Sequence, residues 1–322
     1  MIFLHRFFVT RFDLPPVEEL PSAIDWRTRG ILTPVKNQQH CGSCWTFSTS
    51  GTLEAHTCWH TAQQQKQQQV EQMPLDCPTW NGLAEQQLLD CAWNYDNHGC
   101  NGGLPSHAFE YLKDAGGMHA EDDYPYRASD SHQCQAEIAS SSSWTAPVAA
   151  VFNISNRNED DLVAAVGHIG PVSIAYQVSP DFRFYSHGVY DSYNATTNST
   201  MCSDDNQSVN HAVVAVGYGV THDSNKENGQ EIPYYIVRNS WSADWGMEGH
   251  FWMLRGKNLC GVSDCASFPI VPSNNLVKAG NTAGGATTTS TSRRSSSSSK
   301  KTKSMGLRSS HDDNKFTLTS PS

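Results

Sequence analysis

Hydrophobic positions divide the chain into two halves with different periods. Residues 45–59 lack proline, and Phe47, Gly51, Leu53, Ala55 and Cys58 make the stretch mostly apolar and small, which predicts a buried helix. Residues 84–91 read as one or two further helical turns. Residues 106–115 form an amphipathic helical pattern through Ala108, Phe109, Tyr111 and Leu112, ended by Gly116-Gly117. Beyond Cys134 the pattern shortens to β-branched and aromatic runs bounded by Gly, Pro, Asn and Asp. Residues 148–154, 171–178, 211–218, 234–239 and 250–254 are predicted strands, and residues 159–166 a short helix between them. The pattern describes an α+β protein with a helical front and a β-rich back, and no internal repeat.

Composition changes this picture at the edges. Residues 63–72 are glutamine-rich, cannot form a core, and are expected to loop out. Cys58 and Cys77 bracket that insert, either as a disulfide at its base or as a helix thiol and an unrelated loop thiol. Residues 273–322 are Ser/Thr/Gly-rich with eight Lys/Arg against two Asp/Glu, leaving 14 basic and 30 acidic residues elsewhere. An acidic body argues against a nucleic-acid surface, and the tail is expected to be disordered. Folded structure is therefore expected over 20–272, with residues 1–19 a remnant ahead of it. Ten cysteines and four N-x-[ST] sequons (Asn153, Asn194, Asn198, Asn206) point to the secretory route and an oxidising compartment. The opening apolar residues are broken by His5 and Arg6, which makes a poor signal peptide, and they are too short to span a membrane.

The densest chemistry lies in Gln38-Gln39-His40-Cys41-Gly42-Ser43-Cys44-Trp45-Thr46-Phe47-Ser48. A Gly/Ser turn runs into the first helix and sets Cys44 in its first turn, where unpaired N–H groups and the positive dipole end favour thiolate. A bare C-x-x-C also serves as a zinc half-site or a redox dithiol. A second C-x₂-C pair is absent and no βαβ pattern precedes the motif, so no metal site is expected; two disulfide cysteines without chemistry remain the plain alternative. A nucleophilic cysteine needs a base and a group to orient that base. His211 opens the run Val209 to Gly219, and Asn239 ends a strand with Trp241 two residues on. The asparagine amide oxygen can accept the imidazole N–H while the indole keeps water away. Thirteen other histidines are present, so only context selects His211.

That context resembles the papain-like cysteine peptidases, within them the cathepsin H and aleurain branch, across residues 20–272. Cys41-Gly42-Ser43-Cys44-Trp45 matches the nucleophile signature of the family. The stretches at 44–49, 83–88, 97–106 and 256–261 are similar to that branch in the same order. The resemblance implies a two-subdomain fold, helical on one side and β-barrel-like on the other, with the active-site cleft between them. It implies Cys44 as nucleophile, His211 as general base and acid, Asn239 as its orienter, and Gln38 as oxyanion donor with the Cys44 backbone N–H. Cysteine and histidine then rest as a thiolate–imidazolium pair, the thiol pKa depressed to ~3–4. Trp241 would shield Asn239 and line the leaving-group side. Gly102 and Gly103 would pair with substrate backbone. Leu104, Pro105, Ala175, Ala212 and Cys265 would line the pocket for the residue two before the scissile bond. No cofactor is implied.

The resemblance also implies the pairs Cys41–Cys100, Cys91–Cys134 and Cys202–Cys260. In the cathepsin H branch the position of Cys265 anchors a propeptide-derived mini-chain whose carboxylate captures the substrate α-amino group and yields an aminopeptidase. Expected partners are peptide or protein substrates, such a mini-chain, and cystatin-like inhibitors; the expected location is a lysosome- or vacuole-like compartment or the cell exterior. There are departures. His211 and Asn239 lie 167 and 195 residues after Cys44, against about 130–150 in the family, an excess the insert and the loops at 193–208 and 221–231 would supply. Ser242 stands where the family has glycine. The inhibitory propeptide of the family is missing, so a mature form or an incomplete gene model is expected. Other readings of the same residues are an open-cleft endopeptidase, a non-catalytic peptide binder, and an acyl transferase to amines.

Overall fold

The structure is a computed structural model that describes residues 14–68, 77–136, 146–194, 196–205, 208–222 and 229–272. Residues 1–13 and the basic tail, with its expected disorder, lie outside the described residues, as does the Asn206 sequon.

Helix α1 (Cys44–Gln68) is the spine of the molecule. It is flanked by α2 (Glu85–Cys91) and α3 (Pro105–Ala115), the latter entered through a proline in its first turn and closed by Gly116 at φ 90°. A fourth helix, α4 (Glu159–His168), begins at Asn158, whose side chain accepts the Asp161 N–H. The expectation that residues 63–72 loop out is overturned for the part described, since α1 continues to Gln68. Glutamine is a good helix former, and extending a formed helix needs no new nucleus. The Cys58–Cys77 disulfide ties the buried end of that extension to the body.

The strands are β1 (Ile24–Asp25), β2 (Ala150–Asn153), β3 (Val172–Tyr176), β4 (Val189–Tyr190), β5 (Tyr193–Asn194), β6 (Ser199–Thr200), β7 (His211–His222), β8 (Glu231–Arg238), β9 (His250–Leu254) and β10 (Ser267–Ile270). One sheet runs β2-β10-β3-β7-β8-β9-β4, with β1 sharing the β3 edge of β7; β5 and β6 form a separate hairpin. Only β4–β9 is parallel. The described strands do not close into a barrel, so the β half is a mainly antiparallel open sheet rather than a complete cylinder. β1 approaches β7 at Gly217, where a Cβ would lie 2.3 Å from the Ile24 carbonyl oxygen and the β7–β8 register shifts.

Alternation along the central strands feeds two large core clusters and a small third one of Val214, Val216 and Ile236. Ile174, Tyr176, Val213, Ala215, Tyr235, Val237 and Phe251 pack into an aromatic-rich cluster on one side. Ala175 and Ala212 turn to a second cluster with Trp45, Leu53, Leu88, Phe109 and Leu112 from the helices. Helix α1 lies against β7, β3 and β10. Its Ser48 hydroxyl donates to the Val213 carbonyl at 2.7 Å and meets Ser173 Oγ at 2.6 Å. Helix α1 is thereby bonded directly to the strand that begins with His211.

Candidate active site

Cys44 is the first residue of α1, buried, and in no disulfide. The turn before it is closed by the Cys41–Cys100 disulfide and by the Gly42 N–H donating to the Cys100 carbonyl at 3.1 Å. The Ser43 carbonyl then accepts from the Thr46 N–H and Thr46 Oγ1, both at 2.8 Å, which starts the helix at Cys44. Gln38, also buried, is held from both halves. Its Nε2 donates to the Cys41 carbonyl at 3.0 Å, its Oε1 accepts from Ser240 Oγ at 2.7 Å, and its backbone N–H donates to the Ser240 carbonyl at 2.9 Å.

His211 opens β7, directly opposite Tyr176 in register. Its Nε2 donates to Asn239 Oδ1 at 2.8 Å, and that oxygen also accepts the Ser240 N–H at 2.8 Å. Two bonds fix the Asn239 amide, and it in turn fixes the imidazole. The Trp241 ring stacks on His211 at 4.9 Å and 30°, backed by Trp245 at 5.1 Å and Phe182 at 6.0 Å. His211 Nδ1 is buried and has no hydrogen-bond partner. It is the one polar atom of the ring left for chemistry. Burial pushes the His211 pKa down to about 4, against the pull of the Asn239 bond. A buried imidazole is therefore charged only if an anion forms beside it. The Tyr176 phenol is pushed well upward by burial first, then by Tyr190 and Cys44, and its ring lies 5.8 Å from that of His211. Cys44 thus acts electrostatically on Tyr176, the last residue of β3 and the partner in register of His211.

The predicted substrate residues separate into three groups. Gly102 (φ 112°) and Gly103 follow the turn that Asp130 holds by accepting the Cys100 N–H at 2.7 Å. A Cβ at Gly103 would sit 2.4 Å from Asn97 Oδ1 and 2.7 Å from the Trp45 ring, so only glycine lets this backbone lie so close to the helix. Leu104, Pro105 and Cys265 meet around a cavity of about 150 Å³, together with Asn153, Ile154 and Asp264. Ala175 and Ala212 are not on its wall. They face each other across β3 and β7, buried in the cluster that holds Cys44 and Leu104. Burial, with Asp264 beside it, raises the Cys265 thiol to about 11 and keeps it neutral. The remaining cysteines form Cys91–Cys134 and Cys202–Cys260. Ser242 adopts φ 75°, the conformation in which a glycine would be unstrained.

Sequence reasoning missed Tyr126. Its hydroxyl donates to the Gln38 carbonyl at 2.7 Å and contacts Ser43 Oγ at 2.7 Å, while its ring packs edge-on against Phe47 at 5.0 Å. It lies 82 residues beyond Cys44, in a loop whose pattern carries no periodic signal. Also missed was a buried charge cluster beneath the site. Lys36 Nζ donates to Glu54 at 3.1 Å, Glu85 at 2.8 Å and the Leu83 carbonyl at 2.8 Å, and Arg238 donates to Thr33 at 3.1 Å. Burial works against the Lys36 ammonium, but Glu54 and Glu85 outweigh it and raise its pKa. No group of three or more possible metal ligands occurs among the described residues.

The structure thus sets a thiol at the N-terminus of α1 and, at the start of β7, an imidazole oriented by Asn239 and covered by Trp241. The family model described as papain family cysteine protease matches residues 20–270. The chain belongs to that family. It is 46% identical over 251 residues to pro-cathepsin H of Bos taurus, covering 78% of this chain and 64% of that protein. It is 46% identical over 252 residues to thiol protease aleurain of Arabidopsis thaliana, covering 78% and 61%. The chain thus spans slightly less than two thirds of the length of these curated relatives. Among solved structures, procathepsin L 3 of Tenebrio molitor superposes with TM-score 0.62 at 31% identity over 80% of this chain and 73% of that one. The bromelain protease of Ananas comosus superposes with TM-score 0.60 at 31% identity over 79% and 100%.

Proposed function

We propose that this chain is a cysteine peptidase that cleaves peptide bonds through a Cys44 thioester, and that residues 20–272 form its catalytic domain. The observation that carries the reading is the buried His211 ring, with one nitrogen committed to Asn239 and the other unpartnered, in a chain whose Cys44 thiol opens α1 outside any disulfide. In the reaction Cys44 Sγ attacks the scissile carbonyl. The oxyanion forms toward the Cys44 N–H and the Gln38 amide, whose position is set in advance by Ser240 and Cys41. His211 protonates the leaving amine, then takes a proton from the water that cleaves the thioester. Trp241 keeps the His211–Asn239 bond dry throughout. Gly102 and Gly103 offer backbone for the substrate strand, and the cavity at Leu104, Pro105 and Cys265 takes an apolar side chain.

Within this reading the protein works as a cathepsin H-like aminopeptidase in a lysosome- or vacuole-like compartment or outside the cell, and meets cystatin-like inhibitors there. Support comes from the similarity to cathepsin H and aleurain and from Cys265, which stands unpaired on the cavity wall where a tethered carboxylate would meet the substrate α-amino group. No helix among the described residues is long and apolar enough to cross a membrane. The test compares a fluorogenic substrate bearing a free α-amino group with an N-blocked dipeptide at mildly acidic pH, with Cys44→Ala beside them. Cleavage of the free-amine substrate alone is expected. Cleavage of the blocked one makes the protein an endopeptidase, and no cleavage of either by folded protein overturns the catalytic reading.

A further inference from the structure

A cavity of about 470 Å³ shares none of the residues proposed for the site or its cleft. Its floor is the buried Cys202–Cys260 disulfide with Leu259, and its rim is polar, with Asp204, Ser203 and Lys257. One wall is the β5–β6 hairpin, which contributes Tyr193 and Thr200. Tyr193 is 51% exposed, and Met201 beside it is 37% exposed. The cavity volume lies within the ~300–1,000 Å³ of small-molecule sites.

The same hairpin carries two sequons, and their geometry differs. Asn198 is exposed at φ 52°, with Thr197, Ser199 and Thr200 exposed around it. Its Oδ1 accepts from the Tyr193 hydroxyl at 2.7 Å, a bond that leaves the amide nitrogen uninvolved. Asn194 is half-buried, and its Oδ1 is bound by the Thr196 and Thr197 N–H groups at 2.9 and 3.4 Å. Asn153 belongs to β2, paired with Ser267, and lines the cleft cavity beside Cys265, where an added sugar would obstruct the site.

We propose that Asn198 carries an N-linked glycan whose first sugars lie over the Tyr193 ring at the mouth of this cavity. The donor is a polyisoprenyl-pyrophosphate-linked oligosaccharide of the secretory pathway. Asn198 Nδ2 forms a bond to the anomeric carbon, the bond from that carbon to the pyrophosphate oxygen breaks, the lipid pyrophosphate leaves, and the amide proton passes to the transferase base. The Tyr193–Asn198 bond survives, because it uses the oxygen. The apolar face of a pyranose covers the ring, and its hydroxyls meet the polar rim. The proposal is independent of peptidase activity and adds a modification site to it.

The full chain behind a cleavable secretory leader, expressed in a eukaryotic cell, tests this by peptide mapping after enzymatic deglycosylation, which converts a glycosylated asparagine to aspartate. Secreted and membrane-fraction protein are both scored. Conversion at Asn198 is expected, abolished by Thr200→Ala and by Asn198→Gln, and retained in Thr196→Ala. An unconverted Asn198, or conversion confined to Asn194 or Asn153, overturns the assignment. On native protein, Tyr193→Ser is expected to speed glycan release several-fold; an unchanged rate overturns the contact with the ring.

Discussion

The two sides of the proposed site hold Cys44 and His211 by opposite means. On the β side, His211 has a single side-chain bond, to Asn239, and is otherwise enclosed by rings: Trp241 and Tyr176, with Phe182, Trp245 and Phe251 behind them. On the helical side, Cys44 follows a turn held by a disulfide, by Gln38 and Ser43, and by the Tyr126 hydroxyl. Aromatic packing sets a dry environment with tolerance of a few tenths of an ångström, which suits a base that must move a proton. Hydrogen bonds set direction, which suits an oxyanion site whose donors must aim at one point. Damage on the helical side should therefore reduce kcat through misalignment. Damage on the β side should act through hydration of the imidazole.

The largest effect expected from breaking this comparison follows Gln38→Ala. It removes an oxyanion donor and the cross-cleft bond to Ser240, and kcat should fall by ~10²–10³ with KM little changed. Steady-state kinetics on the better of the two substrates measures it. A change confined to KM would remove Gln38 from the oxyanion site. Next is Trp241→Leu, which strips the stacked ring from His211. Such a contact is worth about 0.5–1.5 kcal/mol, so a loss of up to about tenfold is expected, with the acidic limb of the pH–rate profile moved upward as water reaches the imidazole. A lower rate on an unshifted profile would give Trp241 a purely structural role.

How much of this was legible in the sequence depends on where the information sits. The strand run opening at His211 was visible through its β-branched valines and the one at His250 through its aromatic residues. β1, β4, β5 and β6 are two residues each and carry no period. β10 was hidden by Pro269, which is tolerated because β10 meets β3 only at Ser267, so the proline faces an edge that needs no N–H. Cys44, His211, Asn239 and Gln38 could be named from motifs that are local in sequence, and the structure places Gln38 and Asn239 each in contact with Ser240. The glutamine insert was misread because poor core-forming ability was taken as inability to be helical. The long-range polar partners, Tyr126, Glu121 and Arg238, could not be read because each is joined to the site through backbone carbonyls or buried carboxylates with no sequence mark.

A smaller effect is expected at Tyr126, which sharpens the comparison by removing one direction-setting bond and leaving its ring on Phe47. Tyr126→Phe loses the hydroxyl shared between the Gln38 carbonyl and Ser43. At ~0.5–1.5 kcal/mol per hydrogen bond, kcat should drop by a few-fold to about tenfold, while titration with a thiol-directed reagent still counts one active Cys44 per chain. Reduced active-site count with unchanged kcat per site would mean that Tyr126 supports folding and not alignment.

The smallest effect concerns stability alone. Glu121 accepts the Tyr126 N–H at 2.8 Å, which joins the helical-side clamp to the buried charge cluster. Burial first, and then Glu85, raises its carboxyl from 4.5 to about 8, against the Tyr126 N–H and Lys36. A carboxyl so raised binds a proton in the native state that it lacks when unfolded, so stability is fully present below pH 4.5 and lost as pH rises through about 8. Burial lowers His56, His211 and His250 to about 4, which has the opposite sign: stability rises as pH climbs from about 4 to 6.5. Between about 6.5 and 8 the histidines are spent, and Glu121 together with the likewise raised Glu85 governs the slope. Thermal melts of Cys44→Ala protein, which cannot digest itself, should lose roughly 2–4 °C across that window. Glu121→Gln keeps the acceptor oxygen for Tyr126 and removes the titration, so the loss should shrink. An equally steep decline in Glu121→Gln would assign the whole slope to Glu85 and detach the clamp from the charge cluster.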